Sequence, residues 1–301
     1  MNMHATIQPG TSALARKAML ATVNIQQWSG RKLDRKATDE TIRNNGARAD
    51  AGRFNKALVS RDALAKITAI ANLARKEHYA RTLPWLDAGP RILSAAGYLE
   101  FGKVMRELRG KFDAAAAEFI DGYDDFREDA RARLGGMFEP SDYPDASAIA
   151  RRFAFDLTIL PMPDAADFRV EVSDAEAELI RADIQSRTDT AIRDAMGDVF
   201  SRVCDTVRHM AEKLAETRST GKGDPAAAIF RDSLVDNVRE LVALLPSLNV
   251  TGDAMLSALA DRMKAELCAH DASALREDAA LRQQTAEAAA SILSTVSDYL
   301  A

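Results

Sequence analysis

The sequence predicts a mainly helical α+β protein, in which a long antiparallel helical stalk carries a small β-sheet and is followed by a C-terminal helical bundle. Apolar residues recur at helical spacing through most of the chain after residue 91, and short stretches of alternating apolar and polar residues indicate strands. A proline-rich insert separates the two longest helical runs. With 301 residues, of which 47% are hydrophobic, the chain is long enough to bury a substantial core.

The first predicted segment, residues 1–90, combines one strand with basic and helical sequence. Residues 20–28 alternate in the manner of a half-buried strand, with Val23 and Ile25 facing the core. Residues 31–56 are rich in arginine and lysine and predict a solvated helix or loop. Apolar residues then recur at helical spacing until Pro84, because proline disfavours helix in the residue before it.

The second predicted segment, residues 91–220, forms the stalk. An apolar stripe runs from Phe101 to Leu134 in steps of three and four residues, and Gly135 and Gly136 end this helix. Ser173 and Glu176 have capping-box spacing and start a second helix at residue 174, which extends to residue 219. We expect the two helices to pack against each other.

A proline-rich β insert, residues 137–172, interrupts the stalk. Alternating residues predict strands at 155–160 and 168–172. Together with residues 20–28, these strands make a sheet of about three strands, which is the minimum for independent order when a sheet packs on helices.

The third predicted segment, residues 221–301, is the C-terminal bundle. Asp224 and Pro225 have the N-cap and N1 pattern of a helix that ends at Leu245, before Pro246. Two further helices are predicted at 253–269 and 272–300.

Charge is segregated along the sequence. Residues 1–112 contain 20 basic and 9 acidic side chains, whereas the remainder contains 20 basic and 36 acidic ones. Such a basic region either attracts nucleic acid, or meets the acidic remainder within one molecule or head-to-tail between copies. Cys204 and Cys268 lack the spacing of a disulfide framework or a zinc site. Without a secretory signal or a membrane-length apolar stretch, we expect a cytoplasmic protein with no membrane contact.

Flat rings and cations occur together in the basic region, a combination typical of single-strand binding, where bases stack on rings and cations neutralise phosphates. The alternative is that Tyr79 and Trp85 are buried anchors around Pro84. The candidate residues for nucleic-acid or partner binding are Trp28, Arg31, Lys32, Arg35, Lys36, Arg53, Lys56, Tyr79, Arg81 and Trp85.

An acidic run provides a second candidate surface. Asp121, Asp125 and Asp129 recur every four residues and therefore share one helix face. This face is interpreted as a solvated surface or a docking patch for the basic region. A hard cation would need further oxygen ligands from another element.

The sequence contains no recognisable catalytic constellation. Asp205 and His209 have the spacing of a carboxylate that orients an imidazole, but no nucleophile accompanies them, and an ordinary surface pair is the simpler interpretation. Lys222 lacks the glycine and hydroxyl residues of a phosphate-binding loop. We therefore predict no enzyme activity, no catalytic residue, no cofactor and no metal.

Several motifs together resemble an uncharacterised, mainly helical protein family of tailed bacteriophages and prophages. They are Asn24–Trp28, Gly52–Lys56, His78–Trp85, Phe138–Pro144, Pro161–Pro163 with Asp167–Val170, and Phe230–Val238. The resemblance covers nearly the whole chain and implies a phage protein acting in the host cytoplasm, but it transfers no catalytic residue. A more distant likeness to phage proteins encoded beside MoxR-type AAA+ ATPases suggests such an ATPase system as a partner.

Three functional hypotheses follow. The first is a non-enzymatic phage protein that self-assembles as a homo-oligomer or docks on a phage or host partner. The second is a single-stranded nucleic-acid-binding protein in phage DNA replication or recombination. The third, a metal-dependent hydrolase at the acidic run, requires ligands that the sequence does not identify.

Overall fold

The computed structural model describes residues 14–86, 89–165, 172–216 and 230–300, with side chains up to residue 297. It confirms the predicted fold class, because helices dominate and a small antiparallel sheet accompanies them. The helices are α1 (Arg35–Asn44), α2 (Arg61–Arg81), α3 (Tyr98–Asp121), α4 (Tyr123–Leu134), α5 (Ala146–Ala150), α6 (Asp174–Glu216), α7 (Ser233–Leu248), α8 (Ala254–Glu266), α9 (Ala272–Glu277) and α10 (Ala279–Leu300). The strands are β1 (Ala18–Gln26), β2 (Arg31–Leu33), β3 (Asn55–Ala57), β4 (Leu83–Pro84), β5 (Arg91–Ser94) and β6 (Ala154–Pro161).

The described strands form two sheets. A four-stranded sheet has the order β4-β5-β1-β6, and β1 pairs with β5 in antiparallel register, Ala18 opposite Ser94. Strands β1 and β6 confirm the predictions for 20–28 and 155–160, whereas β4 and β5 were not predicted. The predicted strand 168–172 lies almost entirely outside the described residues. Strands β2 and β3 form a separate two-stranded ribbon where the sequence predicted helix or loop.

The chain divides into two units that are interleaved along the sequence, so their limits do not follow the three predicted segments. The first, here called the bundle unit, is built from Met1–Thr22, Tyr79–Phe101 and Ile159–Ala301. The second, the ribbon unit, is built from Val23–His78 and Gly102–Thr158.

The bundle unit is organised around α6, which spans about 64 Å at ~1.5 Å per residue. The capping box predicted at its start is present, because the Glu176 N–H donates to Ser173 Oγ and the Ser173 N–H donates to Glu176 Oε2, both at 3.3 Å. Buried residues of α6 from Ala191 to Leu214 form one hydrophobic core with residues of α7, α8 and α10. The helix that packs most extensively along α6 is α10, which corrects the predicted pairing of α6 with the 91–134 run.

The ribbon unit has an aromatic core. The stripe predicted on the 91–134 run is buried at Met105, Leu108, Phe112, Phe119 and Tyr123. Phe119 packs against the rings of Trp28, Phe126 and Phe153, with centroid distances between 5.3 and 6.0 Å. Edge-to-face and offset contacts of this kind add stability beyond the apolar area that they bury.

Three predicted helices have different limits in the structure. The 91–134 run begins as strand β5 and is interrupted at Gly122, which leaves the helical region at φ −89° and ψ 5°. The predicted 272–300 helix breaks at Asp278, because this residue is extended and its carboxylate accepts from the Ala280 and Leu281 N–H groups at the start of α10. Helix α7 continues through Pro246 to Leu248, since a proline near the end removes only one helical hydrogen bond. Its predicted start at Asp224 lies outside the described residues.

Arg202 of α6 anchors the end of α2 within the bundle unit. Its guanidinium donates to the carbonyl oxygens of Ala80 at 3.0 Å and Thr82 at 2.9 Å, and it pairs with Asp198 Oδ2 at 2.6 Å. These carbonyls lie at the C-terminus of a helix, where backbone acceptors have no partner within the helix. Separately, none of the described helices is both long and apolar enough to cross a membrane.

We expect Arg202→Ala to lower the free energy of unfolding by about 2 kcal/mol, because hydrogen bonds from a charged donor are each worth ~1.5–3 kcal/mol. Urea denaturation followed by circular dichroism measures this loss. Arg208→Ala on the same helix is the matched control, since its exposed pair with Asp205 should change stability by less than ~1 kcal/mol. Equal effects of the two substitutions would contradict the anchoring role.

Candidate binding site

The register of the β2–β3 ribbon places Lys32 directly opposite Lys56. Like charges at such a cross-strand position repel each other. In the ribbon unit this repulsion is offset by Asp142, whose Oδ1 lies 2.6 Å from Lys32 Nζ and whose Oδ2 lies 2.6 Å from Lys56 Nζ. One carboxylate therefore bridges the two lysines and stabilises the ribbon.

Lys56 is buried, with only 7% of its side chain exposed, yet its ammonium group is surrounded by oxygen atoms. Besides Asp142, Nζ contacts Asp34 Oδ2 at 3.2 Å and donates to the Met137 carbonyl at 2.8 Å. Two of these neighbours are carboxylate oxygens of opposite charge, and the third is a carbonyl oxygen that accepts a hydrogen bond. Burial of an ion is tolerated when opposite charges and polar groups surround it in this way.

Asp142 is held in place by the turn that carries it. It ends a short 3-10 turn, Pro140–Asp142, and the hydroxyl of the next residue, Tyr143, donates to the Leu58 carbonyl at 2.9 Å. Arg133 donates to the Ala57 carbonyl at 2.9 Å. Two side-chain hydrogen bonds to backbone carbonyls therefore hold the residues around this turn against β3 and the residue that follows it, in addition to the ion pairs.

Asp34 connects the ionic cluster to helix α1. Its Oδ1 accepts from the Ala37 N–H at 2.9 Å and so caps the helix, while its Oδ2 faces Lys56. A capping aspartate stabilises a helix by satisfying a first-turn N–H. The start of α1 is thus tied to the buried lysine, although no residue of α1 itself is buried.

The pKa values of the cluster reflect these contacts. Burial alone would raise the pKa of Asp142, but the hydrogen bonds and charges of Lys32 and Lys56 hold it below its usual value. The Ala37 N–H and, to a smaller extent, Lys56 lower the pKa of Asp34. Burial alone would lower the pKa of Lys56, but the carboxylates of Asp142 and Asp34 raise it above its usual value. All three groups are therefore ionised at neutral pH, as an ion-pair network requires.

A groove of about 720 Å³ opens beside this cluster. Four basic and four acidic residues line it, so their charges cancel. The basic residues are Lys32, Arg35, Lys36 and Lys56, and the acidic residues are Asp34, Glu40, Glu139 and Asp142. The groove therefore has no marked preference for an anion.

The predicted binding residues fall into two groups with different surroundings. In the ribbon unit five of these side chains are exposed, namely those of Arg31, Lys32, Arg35, Lys36 and Arg53. Lys56 is instead buried and paired with the carboxylates of Asp34 and Asp142. Trp28 also belongs to the ribbon unit, whereas Tyr79, Arg81 and Trp85 belong to the bundle unit. Neither unit therefore contains all ten predicted binding residues.

Neither tryptophan offers a free ring face for base stacking. Trp28 is 5% exposed and contacts Phe119 and Tyr123, and Trp85 is 6% exposed within the core of the bundle unit. Trp85 thus matches the alternative interpretation, a buried anchor beside Pro84. Tyr79 does not, because it is 55% exposed, with the Arg91 guanidinium 4.6 Å from its ring centroid. Arg81 is half-buried.

The three residues of the acidic face are exposed, but the prediction that one helix carries all three is wrong, because the helix is interrupted at Gly122. Asp121 ends α3, while Asp125 and Asp129 lie on α4, and all three side chains are open to solvent. Among the described residues there is no group of three or more His, Cys, Asp or Glu side chains placed to hold a metal ion. His209 is exposed on α6, and the nearby Asp205 pairs with Arg208 at 3.1 Å.

The basic and acidic residues that are segregated along the sequence are distributed more evenly between the two units. The ribbon unit contains 21 basic and 18 acidic residues, and the bundle unit contains 19 and 27. The contrast between the units is therefore smaller than the contrast along the sequence. Lys32 and Lys56 pair with Asp142, and Lys66 pairs with Glu118, so part of the basic region is neutralised within one unit.

Comparison with known proteins identifies no relative: no protein-family model, no curated protein and no solved structure matches the chain.

We expect Asp142→Asn to lower the free energy of unfolding by about 3 kcal/mol, because it leaves Lys56 buried with weakened compensation and restores the repulsion between the two lysines. Guanidinium denaturation provides the measurement. Glu118→Gln removes one member of the exposed Lys66 pair and should cost less than ~1 kcal/mol. A loss for Asp142→Asn no larger than this control would disprove the bridging role.

Acid should destabilise the wild-type protein more than Asp142→Asn. Because the folded-state pKa of Asp142 lies below its ordinary value of 3.8, the unfolded state binds more protons as the pH falls. The contribution of Asp142 is complete above pH ~5 and is lost on acidification through its folded-state pKa. Denaturation midpoints between pH 7 and pH 3 test this, and parallel curves for the two proteins would contradict it.

Proposed function

We propose that this protein acts by binding rather than by catalysis, and that it self-assembles or docks on a partner through oppositely charged surfaces of the ribbon unit. The observation that supports this proposal is the pair of exposed surfaces described above. The cationic surface consists of Arg31, Lys32, Arg35, Lys36 and Arg53, and the acidic face consists of Asp121, Asp125 and Asp129.

The internal ion pairs favour an outward role for the remaining cations. Asp34 and Asp142 are engaged with Lys56 and Lys32, whereas Arg31, Arg35 and Lys36 form no ion pair within the described residues. Basic residues in the first turn of α1 also meet the positive end of the helix dipole, which is unfavourable in the isolated chain. An acidic partner would relieve this repulsion.

A second copy of the chain carries such an acidic surface. Contact between the cationic surface of one copy and the acidic face of the next is heterologous, so it builds rings or open filaments rather than a symmetric dimer. The resemblance to phage proteins leads us to place this assembly in the host cytoplasm, with an AAA+ ATPase system as the alternative docking partner.

Self-association should be detectable by sedimentation velocity at tens of micromolar protein and low salt, and it should weaken as salt screens the charges. Changing Arg35 and Lys36 to Glu should yield a monomer, as should changing Asp125 and Asp129 to Lys. Because each variant retains one intact surface, mixing the two should restore a dimeric species. The matched control is Arg193→Glu, at an exposed position of α6 outside both surfaces.

A wild-type protein that is monomeric at low salt would exclude self-assembly. If an acidic partner protein recovered from cells bound the wild-type chain and lost affinity with the Arg35 and Lys36 changes, docking would then be the mode of action. A monomeric wild-type protein, together with no acidic partner whose binding depends on Arg35 and Lys36, would contradict the proposal.

The second candidate function is binding of single-stranded nucleic acid. It is favoured by the exposed cations Arg31, Arg35 and Lys36, since phosphate neutralisation needs no aromatic stacking. The burial of Trp28 and Trp85 counts against sequence-tolerant stacking on these rings.

Fluorescence anisotropy with a labelled 20-nucleotide thymidine strand tests this second function. Binding should weaken steeply with salt, with a slope of about −0.7 per phosphate contacted, and the Arg35 and Lys36 changes to Glu should reduce affinity at least tenfold. The Asp125 and Asp129 changes to Lys should not weaken it. Absence of binding at low ionic strength would eliminate this function.

A further inference from the structure

A second groove, of about 610 Å³, lies in the ribbon unit between the turn that follows β1 and the first three turns of α2. Ser29, Gly30 and Arg31 form one wall, and the face of α2 that carries Arg61, Thr68 and Asn72 forms the other. Its size falls within the ~300–1,000 Å³ typical of small-molecule sites.

The backbone fixes this groove. Gly30 has φ +62°, and a Cβ atom there would lie 2.8 Å from Val59 Cγ2, so only glycine permits this close approach. The Gly30 carbonyl accepts from the Leu58 N–H at 2.7 Å, and Ser60 Oγ accepts from the Ala63 N–H at 3.3 Å in the first turn of α2. The backbones that carry Arg31 and Arg61 are therefore both held by hydrogen bonds.

The charge of this groove differs from that of the groove beside Asp142. Two guanidinium groups, those of Arg31 and Arg61, line it against a single carboxylate, that of Asp62. Neither arginine forms an ion pair with any residue that the structure describes. A guanidinium offers two parallel N–H donors that fit the oxygens of a phosphate group.

The rest of the lining is largely apolar and small. Trp28 and Val59 line the groove but are buried, and Leu64 is half-buried beside them. Ala65 and Ala69 lie on the exposed face of α2 and leave room above it. Such a surface suits the flat, weakly polar body of a ligand, while Gln27 and Asn72 offer hydrogen bonds at the edge.

We propose that this groove binds a small organic phosphate of the nucleoside monophosphate class, with the phosphate between Arg31 and Arg61 and the ring system against Leu64 and the alanines of α2. This proposal does not rest on the charge-mediated assembly proposed above. The two share Arg31, but the assembly is tested at Arg35 and Lys36, which do not line this groove.

Isothermal titration calorimetry of the full-length chain tests the proposal with AMP and UMP as probes, and with adenosine and inorganic phosphate as halves of the ligand. A nucleotide should bind at least tenfold more tightly than either half. Arg31→Ala and Arg61→Ala should each reduce nucleotide affinity at least tenfold. Arg48→Ala, which removes an exposed arginine outside the groove, should leave it unchanged.

Ala65→Phe provides a second test that removes no charge. Because residue 65 is exposed on α2, the larger side chain should fill the groove without unfolding the helix, which circular dichroism verifies. It should weaken nucleotide and adenosine binding while leaving the weak phosphate binding intact.

Three results would overturn the proposal. The first is absence of heat from both nucleotides, and the second is equal loss of affinity in the Arg48→Ala control. The third is tight binding of a thymidine oligonucleotide that depends on Arg31 and Arg61 without any binding of mononucleotides, which would make the groove part of a polynucleotide surface.

Discussion

The ribbon unit depends on a single buried carboxylate that compensates two ammonium groups. Strand pairing places Lys32 and Lys56 opposite each other, and without Asp142 the two charges would repel across a distance at which side chains touch. The same carboxylate attaches the turn that carries it to the ribbon. Removal of one partner from such a network costs more than the network itself contributes, because the remaining ion is left buried.

This constraint also determines which charges reach the surface. Lys56 is directed inward by Asp34 and Asp142, and Asp34 uses its other oxygen to cap α1. The arginines and lysines on the rim, such as Arg35 and Lys36, are left without an internal partner among the described residues. We therefore associate the proposed binding role with a surface whose excess positive charge results from how the core of the ribbon unit is neutralised.

The sequence predicted elements with local signals and missed those that depend on distant residues. The capping box at Ser173, the strand at β1 and the apolar stripe ending at Leu134 follow from spacing alone. The ribbon was not predicted because β2 and β3 are three-residue strands with no alternation to detect. Asp142 stood in a turn sequence that signals only a turn, and its partner Lys56 is 86 positions earlier, so no local pattern could identify the ion pairs.

A double-mutant cycle between Lys56 and Asp142 tests the central claim most directly. Lys56→Met and Asp142→Leu are measured singly and together by equilibrium denaturation, and the free energies of unfolding are compared. We expect the double variant to be more stable than the sum of the single losses predicts, by about 2 kcal/mol, because neither ion is then left buried alone. Additive losses would mean that the two groups do not depend on each other, and the account of the ribbon unit would be wrong.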